Sequence, residues 1–205
     1  MDLRDGVDAT PRTDVAAAIR IRRAQASDGP AITAIIVPVI RDGTTYALDR
    51  DMRASDALAY WTSPDKETFV AEHGGEVVGT YYLRANQSGG GKHVCNCGYM
   101  TLASAAGRGV ARAMCTHSLG YAAERGFRAM QFNFVIASNE RAVRLWQSMG
   151  FTVVGRIPGA FRHPALGDVD ALVMFRTLST AAALGRGVAT PALARHALNA
   201  TPKPA

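Results

Sequence analysis

The stretch that most constrains this chain is Tyr99-Met-Thr-Leu-Ala-Ser-Ala-Ala-Gly-Arg-Gly-Val-Ala-Arg112. An extended apolar run ends there, a glycine-containing turn follows, and a helix-periodic run opens. A turn of this kind aims several unpaired backbone N–H groups at one point, where the helix dipole also favours negative charge. Gly107 and Gly109 let the backbone come close to a polyanion, and Arg108 and Arg112 add charge. Glycine at a helix start is as often a plain cap, so the turn alone leaves both readings open. It is not a Walker loop, because no Gly-Lys-Ser/Thr follows, and a dinucleotide-binding G-x-G-x-x-G is absent too.

The flanking sequence supplies alternating strands and helices. Ile19-Arg-Ile-Arg-Arg23 reads as a strand, followed by a cap at Ser27-Asp28 and an apolar helix through Ile40, in which Pro38 marks a kink or an end. A loop over Arg41–Tyr46 leads to a second helix from Ser55 to Trp61. Glu67–Glu72 and Val77–Arg84 form a hairpin across His73-Gly-Gly-Glu76, and His93–Thr101 is the next strand. A helix from Gly109 to Arg125, a strand from Arg128 to Ile136 and a helix from Asn139 to Ser148 come next. Two last strands, Phe151–Ile157 and Val169–Arg176, flank a connection containing Pro, Gly and His. Such alternation predicts a mixed α/β (α+β) fold, a sheet with helices on both faces.

With 205 residues, 48% apolar and 20% charged, the chain has the means to bury one core without metals or disulfides. The expected division is a loose arm at 1–17, one domain at 18–177 and an Ala-, Thr-, Gly- and Pro-rich tail at 178–205. No apolar run approaches the roughly 18 residues of a membrane span, and the polar, acid-bearing start does not read as a secretory signal. Three cysteines without a disulfide-framework spacing suit a reducing cytoplasm. The net charge of +6 is dispersed rather than gathered into Lys/Arg blocks, which argues against nucleic acid and suits an anionic cofactor.

About thirty residues beyond the turn stands Ala137-Ser-Asn-Glu-Arg-Ala-Val-Arg-Leu-Trp-Gln-Ser-Met-Gly-Phe151. The glycine turn followed by this S-N-x-x-A-…-G-F stretch resembles the GCN5-related N-acetyltransferase (GNAT) superfamily, over Ile19 to Arg176. The family's R/Q-x-x-G-x-G/A is matched by Ala106-Gly-Arg-Gly-Val-Ala111, with Ala106 in place of Arg or Gln. The resemblance implies a central mixed sheet of six or seven strands with a splayed strand pair, and acetyl-CoA as the acetyl donor with no metal. It implies that the pantetheine arm pairs with backbone at Tyr99, Met100 and Thr101. The pyrophosphate would lie on Gly107, Arg108, Gly109, Val110, Ala111 and Arg112, with Asn139 placing the thioester and Trp146 beside the cofactor. Many relatives carry a tyrosine acid where this chain has Trp146, and a carboxylate where it has Phe134, so that acid–base pair is missing. Homodimers are common among relatives, while no interface is marked in this sequence.

The strands offer amides instead. Asn96, in Cys95-Asn-Cys-Gly-Tyr-Met100, and Asn133, in Gln131-Phe-Asn-Phe134, stand in apolar strands where an unpartnered amide is costly. Each either ties down a backbone or binds substrate. With Asn139, Gly79-Thr-Tyr-Tyr-Leu83 and His93-Val-Cys-Asn-Cys-Gly98, they resemble the branch that acetylates proline analogues such as azetidine-2-carboxylate. That resemblance implies a small-molecule amine acceptor, with Asn96 and Asn133 on the substrate and Asn133 and Asn139 supporting transfer. Thr44, Thr45 and Tyr46 are expected as substrate-side walls. Two other classes stay open: acetylation of a protein terminus or lysine, and an acyl-CoA-binding module without catalysis. Cys95, Cys97 and Cys115 read as buried thiols, His117 as a surface residue and His163 as part of a loop turn.

Overall fold

The computed structural model describes residues 18–178. The expected arm at 1–17 and the expected tail from 179 onward lie outside the described residues. Leu178 is 7% exposed and donates its N–H to the Arg128 carbonyl at 2.9 Å, so the core holds the chain one residue past the expected boundary.

Seven strands form one sheet in the order β1-β2-β3-β4-β5-β7-β6. They are β1 (Arg20–Arg23), β2 (Glu67–His73), β3 (Glu76–Ala85), β4 (Val94–Thr101), β5 (Ala129–Ile136), β6 (Thr152–His163) and β7 (Gly167–Thr177). Every neighbouring pair is antiparallel except β4 and β5, which are parallel. The helices are α1 (Gly29–Asp42), α2 (Ala54–Trp61), α3 (Val110–Glu124) and α4 (Glu140–Ser148). The connection from β4 to β5 is made by α3, as a parallel pair requires.

Strand alternation sorts side chains onto two faces. Tyr81 and Leu83 go to a core shared with Met114 and Cys115 of α3. Tyr82, Val70 and Met100 go to a second core under α1, whose Ile32, Ile35, Ile36 and Ile40 recur at helical spacing. Trp61 fastens α2 to the second face, donating from Nε1 to Thr80 Oγ1 at 3.0 Å, and the Thr80 hydroxyl donates to the Phe69 carbonyl at 2.9 Å.

Two expectations are corrected. Of the kink or end expected at Pro38, the end is ruled out, since α1 runs on to Asp42. Pro38 and Ala34, whose carbonyl loses its partner, are both exposed, so water can serve that carbonyl. The final strands are also far longer than expected, with β6 passing through Pro158 and Gly159 to His163. Pro158 is tolerated because β6 is an edge strand, and the register breaks between Ile157 and Phe161. Gly159 N–H finds Asp170 Oδ1 at 3.0 Å in place of a ladder partner.

Two irregularities position the site. The β4–β5 ladder pairs only Val94 with Ala129 and Cys95 with Met130, after which the strands part. On the other edge of β5, the register with β7 breaks between Phe132 and Val135, leaving Asn133 and Phe134 in a bulge. The result is a sheet that opens in its middle, with Asn96 and Asn133 on the two lips.

Candidate active site

A cavity of about 440 Å³ occupies the opening. Its walls come from the free part of β4, the bulged part of β5, the start of α4 and the segment between α1 and α2. Asn96, Asn133, Asn139, Tyr99, Met100, Thr101, Trp146, Thr45 and Tyr46 all line it. Residues from three helices, three strands and one loop meet there, which no local pattern announces. Thr44 does not line the cavity, and its hydroxyl bonds to Asp42.

The asparagines are all partly engaged. Asn96 donates from Nδ2 to the Gln131 carbonyl at 2.9 Å, bridging β4 to β5 where their ladder has ended. Asn133 donates to Asn86 Oδ1 at 2.6 Å and accepts from Gln131 Nε2 at 2.8 Å. Asn139 caps α4, its Oδ1 accepting from Ala142 N at 3.2 Å. Each ties down structure, and each lines the cavity. Asn139 Nδ2 has no partner among the described residues and remains a free donor.

At the other end lies the glycine turn. The N–H groups of Gly107, Gly109, Val110, Ala111 and Arg112 have no partner among the described residues. Gly107 and Gly109 have φ of 83° and 81°, a region that suits glycine and is strained for other residues. Of the expected cations, Arg112 is pinned to α4, donating to Ser148 Oγ at 2.9 Å, and Arg108 Nη2 lies 3.4 Å from His73 Nδ1. Arg141 was not expected at this turn, yet an added Cβ at Gly107 would stand 3.6 Å from its Nη2. Unpartnered donors, an open helix N-terminus and nearby guanidinium groups fit a pyrophosphate.

The acetyltransferase (GNAT) family profile matches residues 38–151, more than half of the chain. The chain belongs to the GNAT family of acetyltransferases. It is similar to a GCN5-related N-acetyltransferase from Kribbella flavida, 41% identical with a TM-score of 0.75 over 78% of this chain and 98% of that one. It is also similar to N-acetyltransferase aca1 of Schizosaccharomyces pombe, 28% identical over 65% of this chain and 72% of that protein. The fold is shared with a phosphinothricin acetyltransferase from Sinorhizobium meliloti solved with acetyl-CoA, 20% identical with a TM-score of 0.70 over 80% of this chain and 91% of that one.

As a GNAT member the chain is an acetyl-CoA-dependent N-acetyltransferase, and its cavity has an unusual chemical inventory. No Asp, Glu or His is among the described residues lining it. Tyr46 donates its hydroxyl to the Tyr99 carbonyl at 2.9 Å, and burial pushes its pKa up. The Tyr99 hydroxyl is tied to Ser118 Oγ at 2.7 Å and is likewise raised by burial. Burial raises the Cys97 thiol well above its ordinary range and Cys115 to about 12. Trp146 is 8% exposed, its ring 5.1 Å from Tyr99 and 5.2 Å from Phe132, so it is an aromatic wall.

Some members of the site were not legible. Tyr60, Tyr82, Leu48 and Arg84 line the cavity on the α1–α2 side. Hairpin register was the one available signal, since Arg84 pairs with Asn96 and Tyr82 with Gly98. His117 also departs from its expected surface role. It is partly buried, its Nδ1 lies 2.7 Å from the Tyr81 hydroxyl, and burial lowers its pKa. His163 caps the β6–β7 turn, accepting from the N–H groups of Ala165 and Leu166 at 3.1 and 3.2 Å.

Proposed function

We propose that this enzyme moves an acetyl group directly to the amine of a small amino-acid-like or imino-acid substrate, of the proline-analogue kind. The observation that carries the reading is the cavity at the parting of β4 and β5. It is small, and amides and aromatic rings line it. The α1–α2 side is walled by Tyr46, Tyr60 and Tyr82, with Trp61 packed edge-on to Tyr46 and Tyr82 at 6.0 and 4.8 Å. A wall of packed rings favours a compact acceptor over an extended peptide.

Bound acetyl-CoA supplies an activated thioester. The turn N–H groups from Gly107 to Arg112 would hold its pyrophosphate, and the free edge of β4 at Tyr99, Met100 and Thr101 its pantetheine arm. Asn139 Nδ2, the free donor at the start of α4, is placed to orient a carbonyl, while Asn133 fixes the lip of β5. Neutral amides position an amine without trapping it as an ammonium. With no carboxylate or imidazole among the described residues on the walls, the proton leaves through water or backbone carbonyls.

The test is acetyl-CoA consumption with free-thiol release over small amino acids, cyclic imino acids, peptide N-termini and lysine peptides. Turnover of an imino acid such as azetidine-2-carboxylate, well above the peptides, is expected. Faster turnover of peptides would overturn the acceptor class. Tight acetyl-CoA binding with no thiol release on any amine would point to a binding module.

A further inference from the structure

Among the described residues that line the cavity, Arg84 alone carries a formal charge. It ends the apolar run of β3 and lies directly opposite Asn96 on β4. Directly paired residues share a face, with Cβ atoms roughly 5 Å apart, so both point to the acceptor side with Tyr82. Its guanidinium is held from outside, Nη1 donating to Asp65 Oδ2 at 3.0 Å. The buried Nε has no hydrogen-bond partner, the one such side-chain atom among the described residues. Arginine offers carboxylates two gripping edges, and here Nη1 is taken while the Nε–Nη2 edge is not. A desolvated guanidinium donor without an acceptor is costly, so an oxygen delivered to that edge is strongly favoured. The side chain is 38% exposed at this rim of the cavity.

The surroundings share the sign. Lys66 Nζ stands 3.5 Å from the Tyr60 ring centre and 4.8 Å from that of Tyr82, both of which line the cavity. Among the described residues two cations, Arg84 and Lys66, flank one carboxylate, Asp65, so this end of the cavity leans positive.

We infer that Arg84 is the acceptor's anion site, its Nε–Nη2 edge gripping the carboxylate of an amino or imino acid whose amine points toward Asn139. This rests on the small-amine reading above and narrows it to acceptors that carry a carboxylate. Arg84 thereby decides specificity rather than chemistry.

The experiment compares wild type with Arg84→Gln and Arg84→Lys. One readout is the kcat/KM ratio for L-proline over L-prolinamide and for azetidine-2-carboxylate over its amide. The other is calorimetric binding of L-proline and L-prolinamide to the CoA-saturated protein. Wild type is expected to prefer the acid at least tenfold in both readouts. Arg84→Gln should remove that preference mainly through KM, and Arg84→Lys should restore part of it, keeping the charge without the fork. An acid-to-amide ratio equal in wild type and Arg84→Gln overturns the inference. Amines acetylated without regard to a carboxylate, with L-proline bound no better by wild type than by Arg84→Gln, leave the acetyltransferase reading standing and overturn the Arg84 one. No turnover of any amine, with L-proline bound tenfold tighter by wild type, does the reverse.

Discussion

The glycine turn and the proposed acceptor side of the cavity are built on opposite plans. The turn is six consecutive residues, Gly107 to Arg112, whose backbone N–H groups, apart from that of Arg108, have no partner among the described residues. The acceptor side is side chains from separated places: Tyr46 after α1, Tyr60 on α2, Tyr82 and Arg84 on β3, Asn96 on β4 and Asn133 on β5. A backbone site needs only conformation, so it tolerates most side-chain change and shows in sequence as glycine spacing. A side-chain site needs a scaffold in register, and any one member can be exchanged to suit another acceptor. The difference teaches why the glycine turn shows in the sequence while the other side of the cavity does not.

Substitutions that strike one side only put that contrast to work. The largest effect is expected at Gly98, where an added Cβ would stand 2.7 Å from a Tyr82 ring carbon. Gly98→Val should cut acceptor kcat/KM about a hundredfold while costing about 1–3 kcal/mol of stability through overpacking. Acetyl-CoA affinity, read by calorimetry, should stay within a few-fold. An equal loss on both ligands would break the division between the two sides.

Next comes the turn. Gly107→Val forces a β-branched residue to a φ of 83°. The strain of roughly 1–2 kcal/mol, together with crowding of the free N–H groups, should weaken acetyl-CoA about tenfold or more. Acceptor KM at saturating cofactor is expected to change little. An unchanged acetyl-CoA Kd would show that the cradle does not depend on this backbone.

Asn139 lies between the two plans, as a helix cap and as a cavity donor at once. Asn139→Asp keeps the cap acceptor and removes the free Nδ2 donor, whereas Asn139→Ala removes both. The Ala variant should lose about 1 kcal/mol in a denaturant melt. The Asp variant should melt near wild type yet lose about tenfold in kcat, on the scale of one hydrogen bond. If Asp and wild type turn over alike, Asn139 is a cap and nothing more.

The most diagnostic test is on pH. Burial raises the Tyr46, Tyr99 and Cys97 pKa values, so these groups hold their protons through neutral pH and cannot serve as bases there. The acceptor must then arrive as the free amine. That fraction grows about tenfold per pH unit below the amine's own pKa. kcat/KM should therefore climb steadily from pH 6 to 8.5. A plateau or bell with a midpoint near 7 would reveal a base on the protein.

Much of the frame was open to reading. The hairpin of β2 and β3, the turn before α3 and the S-N cap of α4 follow from local chemistry, because glycine spacing, caps and alternation act within a few residues. The end of the chain was less legible. Pro158 and Gly159 read as a connection, since nothing local says that β6 would be an edge strand able to carry them. His117 read as surface because its partner Tyr81 is 36 residues away. Asn96 and Asn133 could be named, but not their tether partners Gln131 and Asn86.

What the sequence determined by itself is the strand–turn–helix that presents free N–H groups, and with it the family and its cofactor chemistry. These follow from backbone conformation, which neighbouring residues control. What only the tertiary structure decided is the cavity wall proposed for the acceptor. The β4–β5 ladder ends after two pairs, the β5 bulge turns Asn133 toward the gap, and the β3–β4 register sets Arg84 beside Asn96. Register and splay are settled by the packing of a whole sheet between two cores, and no short stretch of sequence contains that balance.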